Sequence, residues 1–222
     1  MLTDKHRGDG VLIIGLGRFG ISLALTLEKL GTNVLAMDSN ADLVQEYSGK
    51  LTHVVQGDAA NIDALHQIGA AEFDVAVVGV GTSVEASVLI TANLVDLGGP
   101  IIWAKAVSSS HGKILERIGA HHVVFPEKDA GQRVAHLVNG RLLDYIEFDD
   151  DWAIVKMRPP REIQGFTLAE SDVRKKYGVT VVGVKSPGRD FSYATPETKV
   201  AVHDTLIVSG HTELIEQFAN QS

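Results

Sequence analysis

From residue 11 to residue 127 the chain alternates short, nearly unbroken apolar runs with longer segments of mixed character. The runs are VLIIG (11 to 15), NVLAMD (33 to 38), HVVQGD (53 to 58), FDVAVVGVG (73 to 81), IIWAKA (101 to 106) and HVVFP (122 to 126). Rich in Val, Ile and Ala and without strict alternation, they predict strands covered on both faces, as in a parallel sheet wound by right-handed crossovers. Six such strands complete an α/β, Rossmann-like doubly wound sheet.

The segments between them carry helix-start signals. Thr82 and Glu85 have the spacing of a capping box ahead of VLITANLV, Ser39 or Asn40 is placed to cap the helix after the second strand, and Gly31 and Gly98 stand where left-handed helix ends are expected. After Pro126 the run EKDAGQRVAHLVNGRLLDYIEF predicts one long helix with an apolar stripe of Val134, Leu137, Val138 and Leu142. The acidic Asp149-Asp150-Asp151 then marks the expected domain boundary. Beyond it the pattern predicts a strand WAIVKM, a helix capped by Thr167-x-x-Glu170 and running through Lys176, a strand VTVVGVK, a Ser-Pro-Gly turn, a strand DTLIVSG and a last helix TELIEQFA. The expected organisation is a flexible tail over 1–10, a nucleotide-binding domain with its crossover helix over 11–148, and a small α+β domain over 149–222.

Composition removes several functional classes. The chain of 222 residues has no cysteine, which excludes disulfides, thiol catalysis and cysteine zinc sites. Its net charge is −8, with no basic cluster to follow a phosphate backbone, so no nucleic-acid partner is expected. The nine histidines are scattered, and His121-His122 fit a strand entry better than a metal site. No apolar run is long enough to span a bilayer and the polar MLTDKHRGDG lacks a signal-peptide core, so the expected location is cytoplasmic, without direct membrane insertion.

The most informative stretch is VLIIGLGRFG. Gly15-x-Gly17-x-x-Gly20 directly follows a strand and opens a helix. Gly15 permits the tight turn, Gly17 lets backbone approach a pyrophosphate, and Gly20 lets helix and strand pack closely; the helix N-terminus then offers N–H groups to phosphate. Asp38 ends the second strand, where a carboxylate accepts from ribose hydroxyls and repels a 2′-phosphate. Asn40 either adds a ribose contact or caps the next helix. Ligands in open α/β sheets bind at the carboxyl ends of the strands. This nominates Asp58 and Ala59 beside an adenine, Gly79, Val80 and Gly81 beside a ribose, and Phe19, Ser39, Lys105 and Glu127 as further lining. Gly79 and Gly81 equally suit simple turns, and Lys105 and Glu127 equally suit a surface. Arg18 admits three readings, a bidentate partner for a terminal phosphate, an arginine of a dehydrogenase turn, or a solvated first-turn side chain.

A dehydrogenase needs proton-moving residues and a second domain to hold substrate. The C-terminal module has His203 and His211, neither with a carboxylate at motif spacing, and GxSxG, Walker A and kinase signatures are absent. The sequence therefore predicts a binding protein and not an enzyme, with a small NAD(H)-dependent oxidoreductase or a sensing module for another partner as alternatives.

GLGRFGISLALTLEKLG, VLAMDSN, HVVQGDA, FDVAVVGVG, ASVLITANLVDLG, IIWAKA, HGKILERIGAHHVVFPEKDAGQRVA and YGVTVVGVK, taken in order, resemble the Ktr/Trk family of RCK (regulator of K⁺ conductance) potassium-uptake subunits. The resemblance implies a cytoplasmic gating subunit, dimeric and assembled into a ring, commonly an octamer, against a membrane-embedded K⁺ translocating partner. It implies ATP and ADP as ligands, with NAD or NADH possible in the same cleft. Arg18 would reach terminal phosphates, Asp38 and Asn40 would hold the ribose, Asp58 and Ala59 would border adenine, and Lys105 would line the cleft. Glu127 would approach a neighbouring subunit's phosphates, with Mg²⁺ possible between them. In the C-terminal domain Arg174 would occupy the basic position of a cyclic di-AMP site.

Overall fold

Six parallel strands in the order β3-β2-β1-β4-β5-β6 organise the first part of the chain. A computed structural model describes residues 8–138, 140–148 and 151–221. The strands are β1 (Gly8–Ile14), β2 (Asn33–Asp38), β3 (His53–Gln56), β4 (Phe73–Val78), β5 (Ile101–Lys105) and β6 (His122–Val124). Helices α1 (Arg18–Lys29), α2 (Ala41–Tyr47), α3 (Ile62–Gln67), α4 (Val84–Leu97) and α5 (Ser109–Arg117) connect them. The chain reverses its direction of travel across the sheet between β1 and β4, the switch point at which such sheets open a crevice.

The apolar runs explain the layers. Alternate residues of β1 enter opposite cores: Leu12 and Ile14 pack with Ile90, Leu94 and Leu115 of α4 and α5, while Ile13 packs with Ala24 of α1. Both faces of the central strands are thus buried, which is why their sequences do not alternate. β5 is different: Ile102 and Ala104 are buried, but Ile101 and Trp103 on the opposite face are exposed. The Trp103 ring stacks on His122, the first residue of β6, at 4.0 Å, and His121 Nδ1 accepts the Ile102 N–H, so the histidine pair serves the strand entry.

The second part is a five-stranded antiparallel sheet in the order β10-β9-β11-β8-β7. Its strands are β7 (Leu142–Glu147), β8 (Trp152–Met157), β9 (Thr180–Lys185), β10 (Ser192–Tyr193) and β11 (Thr205–His211), accompanied by α6 (Pro126–Leu137), α7 (Leu168–Ser171), α8 (Val173–Tyr177) and α9 (Thr212–Ala219). One core, including Tyr145, Val155, Leu206, Ile215 and Phe218, unites strands and helices.

Several expectations are corrected. β1 begins at Gly8 and pairs Gly8 with Phe73, so residues 8–10 belong to the sheet and not to a tail; the rest of that tail lies outside the described residues. α4 is capped by Ser83, whose Oγ accepts the Ala86 N–H at 3.1 Å, and not by Thr82. Asn40, and not Ser39, caps α2. The long helix after Pro126 stops at Leu137, because Gly140 adopts φ +72° and its N–H bonds back to the Leu137 carbonyl. The expected stripe therefore splits: Val134 and Val138 are exposed on or just past the helix, and Leu142 is buried on a strand. Since that strand hydrogen-bonds to β8, the two compact units divide between Glu127 and Lys128 and not at 148/149; Asp149 and Asp150 lie outside the described residues. The Thr167–Glu170 capping box is present, but Asp172, at φ +46°, divides the expected helix into α7 and α8. A short Asx side chain tolerates that left-handed conformation better than most residues.

Candidate functional site

The glycine turn after β1 is built by close backbone contacts. Gly15 has φ +99°, and its N–H donates to the Met37 carbonyl at 2.8 Å. A Cβ on Gly20 would lie 1.8 Å from the Gly15 carbonyl oxygen, so α1 approaches the turn as only glycine allows. Gly17 differs from both. It occupies the N-cap of α1 in an extended conformation, and an added Cβ would meet nothing within 4 Å. With glycine at this cap, no side chain covers the first N–H groups of α1, and the turn is open on the side where a phosphate would approach. Arg18 is exposed on the first turn, and Phe19 beside it is half-buried.

Asp38 closes the turn from β2. Its Oδ2 accepts the Leu16 N–H at 2.6 Å and its Oδ1 accepts the Asn40 N–H at 2.8 Å. One carboxylate therefore fixes both the glycine turn and the entry to α2. Asn40 Oδ1 accepts the Asp42 N–H at 2.9 Å, so its side-chain oxygen serves the cap, and Ser39 is exposed next to it. Farther along the same edge, Asp58 Oδ1 accepts the Ala60 N–H at 3.0 Å in an Asx turn that leaves the carboxylate exposed. Ala59 is buried, and Asn93 Nδ2 of α4 donates to the Ala60 carbonyl at 2.8 Å, pinning this loop. Asn93 has no signature in the sequence, because it acts across thirty-three residues through geometry alone.

On the other side of the switch point the Gly79 N–H donates to the Ile14 carbonyl at 2.7 Å, and a Cβ on Gly79 would lie 3.3 Å from the Gly15 carbonyl oxygen. The loop after β4 thus lies against the glycine turn, with Val80 packed on Gly15. Lys105, at the end of β5, directs its Nζ to Glu127 Oε1 at 2.5 Å and lies 5.9 Å from the Phe19 ring centroid. The Glu127 carboxyl is held below the usual carboxylate range by the Lys105 hydrogen bond first, with the charge of Arg18 contributing least. Its pairing is present at neutral pH and weakens only as pH falls through that lowered pKa. His111, buried at the start of α5, is a contributor that the sequence did not single out: its Nδ1 accepts the Val107 N–H at 3.3 Å, and burial lowers its pKa.

The structure accordingly gathers the nominated residues along one carboxyl edge of the sheet, with Asp38 to Ala59 on one side of the switch point and Gly79 to Glu127 on the other. The open Gly17 and the bare start of α1 fit a phosphate group. Among the described residues, the protein does not by itself assemble a cation site around Glu127. No group of three or more potential ligands occurs among the described residues, and the Glu127 carboxylate is engaged by an ammonium. Arg174 belongs to the C-terminal unit, where its Nε donates to Thr180 Oγ1 at 3.2 Å beside a cavity of about 320 Å³.

A Rossmann sheet with an open glycine turn, followed by a small antiparallel module, defines a two-domain protein of the TrkA class: residues 11–126 match the TrkA-N domain and residues 153–222 the TrkA-C domain. The chain is 36% identical to Ktr system potassium uptake protein A of Bacillus subtilis over 210 residues, covering 94% of this chain and 95% of that protein. It is 38% identical to Ktr system potassium uptake protein C of the same organism over 209 residues, 93% and 94% of the two chains. The chain belongs to the Ktr/Trk family of potassium-uptake RCK proteins. Its fold is shared by the GsuK channel bound to NAD, at a TM-score of 0.67 and 20% identity over 98% of this chain and 40% of that one. No helix among the described residues is long and apolar enough to cross a membrane.

Proposed function

We propose that this protein is a non-enzymatic, nucleotide-sensing regulatory subunit that acts from the cytoplasmic face on a membrane-embedded K⁺ translocating partner. The observation that carries the reading is the turn held by Asp38, open at Gly17 and bare at the start of α1, on a chain that matches a Ktr protein over 94% of its length. ATP and ADP are the proposed ligands, and NAD or NADH fit the same phosphate cradle. The output is a shift between two shapes of a homo-oligomeric ring, which a ligand drives only through a difference in affinity for them. Thermal-shift titration with ATP, ADP, NAD⁺ and NADH, alongside native mass measurement, tests this. Stabilisation of a ring by ATP and ADP is expected; a monomer stabilised by NADH alone would favour an oxidoreductase.

Arg18 is the proposed reader of the terminal phosphate. Arg18→Ala is expected to leave the ADP Kd within about twofold while weakening ATP about tenfold, the scale of one charge-assisted hydrogen bond. Calorimetric titration of both nucleotides checks this, and an unchanged ATP to ADP ratio would remove Arg18 from the role.

The cavity in the C-terminal unit supports a second ligand, cyclic di-AMP. It is walled by Leu168, Val173, Val179 and Pro196 and edged by Arg174, so apolar walls are offered to a base and a cation to a phosphate. Arg174→Ala is expected to abolish the thermal shift caused by cyclic di-AMP and to leave the adenine-nucleotide shift intact. Equal shifts in variant and wild type would assign Arg174 to the surface.

A further inference from the structure

Resting on the nucleotide reading of the first cleft, we propose that the Lys105–Glu127 pair is a latch: an anionic nucleotide opens it by taking the Lys105 ammonium, which frees the first turn of α6. The two members of the pair have unequal needs. The Lys105 side chain is only 12% exposed, lodged between the Phe19 ring and Gly81, where an added Cβ would lie 3.3 Å from Nζ. An ammonium in such a place requires an anion. The Glu127 side chain is 63% exposed and regains water when displaced, at little cost. Whichever anion occupies the cleft therefore decides the partner of Lys105, and a polyphosphate carries more charge to that contest than one carboxylate.

The position of Glu127 gives the exchange its consequence. Glu127 is the second residue of α6 and the last residue of the first compact unit, while the body of the helix counts with the second. There Arg133 pairs with Asp144 of β7 at 2.5 Å, and His136 pairs with Glu216 of α9 at 2.9 Å and stacks on Tyr145 at 3.9 Å. The helix body is fastened to the C-terminal unit, and its start is fastened to the nucleotide cleft through Glu127. Occupancy at Lys105 releases the second fastening and leaves the first. In this way the cleft acts on the segment that joins the two units.

Competition fixes the sign of the test. With Glu127 as a competitor, Glu127→Gln binds ADP about three- to tenfold more tightly than wild type in EDTA; with Glu127 as an indispensable ligand, it binds more weakly. Hydrogen exchange supplies the second readout, at the amides of residues 130–133, whose helical acceptors lie in the first turn of α6. Free wild type is expected to protect them, and ADP, Glu127→Gln and Lys105→Gln are each expected to reduce that protection while protection of β1 is retained. Weaker ADP binding by Glu127→Gln in EDTA, or ADP binding without any change at 130–133, overturns the latch alone. Absence of any nucleotide binding by the wild-type protein overturns the reading of the cleft and, with it, the opening of the latch by nucleotide.

Discussion

Gly20→Ala is expected to destabilise the N-terminal unit by about 3 kcal/mol or more and to eliminate nucleotide-induced stabilisation, as read by urea unfolding with and without ADP. A methyl group at this position would lie 1.8 Å from the Gly15 carbonyl oxygen and 3.0 Å from its carbon. Both are backbone atoms, and no side-chain rotation relieves the overlap. Relief would require moving α1 away from β1, which would open the core in which Ala24 packs against Ile13. The neighbouring glycine provides the control. Gly17 has φ −64° and ψ 179°, accessible to any residue, and open space where a Cβ would stand. Gly17→Ala should therefore unfold with a midpoint close to wild type, yet lose nucleotide affinity, because its methyl group fills the approach to the bare helix start. Equal loss of stability in the two variants would show that the Gly20–Gly15 contact does not build the turn, and equal nucleotide affinity in Gly17→Ala and wild type would move the phosphates elsewhere.

The contrast between those glycines also shows which parts of the molecule are legible in a sequence. Their spacing after a strand announces the turn, because backbone geometry there depends on residues close in the chain. The six parallel strands are legible for the same reason: Leu12, Ile13 and Ile14 face two cores, and a strand buried on both sides must be apolar throughout. The failures involve small differences between adjacent residues and single residues that end or divide a helix. Thr82 and Ser83 are both competent caps, and the backbone of α4 selects Ser83. A single residue, Gly140, ends α6 and passes LLDYIE to the second sheet, although those residues continue the helical period of the preceding stripe. Asp172 breaks a helix that its capping box correctly starts.

The candidate site follows the same division. Asp38 is visible as the acid ending the second strand, but its double engagement with Leu16 and Asn40 belongs to the folded turn. Lys105 and Glu127 are visible only as charges at strand ends, and their mutual contact depends on the alignment of β5 with β6, in which Lys105 stands beside Val124. Asn93 carries no signal at all until the loop after β3 lies against α4.

Replacement of Asp38 should produce the largest loss of binding at a site that still folds. In Asp38→Ala the Leu16 and Asn40 N–H groups lose their acceptors together, and bonds from backbone N–H to a carboxylate contribute about 1.5–3 kcal/mol each. Exposure of Asn40 softens the second loss, since water can replace its partner, so a total of about 2–3 kcal/mol in stability is expected. Nucleotide affinity should fall by more than about tenfold, because the same carboxylate both orders the phosphate turn and faces the ribose of the proposed ligand. Asp38→Asn separates these contributions. Its single amide oxygen can accept from Leu16 or from Asn40, while its NH₂ would confront the other donor, so part of the destabilisation remains. Its neutrality, however, removes the repulsion of a 2′-phosphate. The thermal shift from NADPH should therefore rise relative to that from NADH in Asp38→Asn, whatever the absolute affinity. A ratio unchanged from wild type would confine Asp38 to holding the turn, and a nucleotide Kd unchanged in Asp38→Ala would remove it from the site, since a ribose at the end of β2 has to meet this carboxylate.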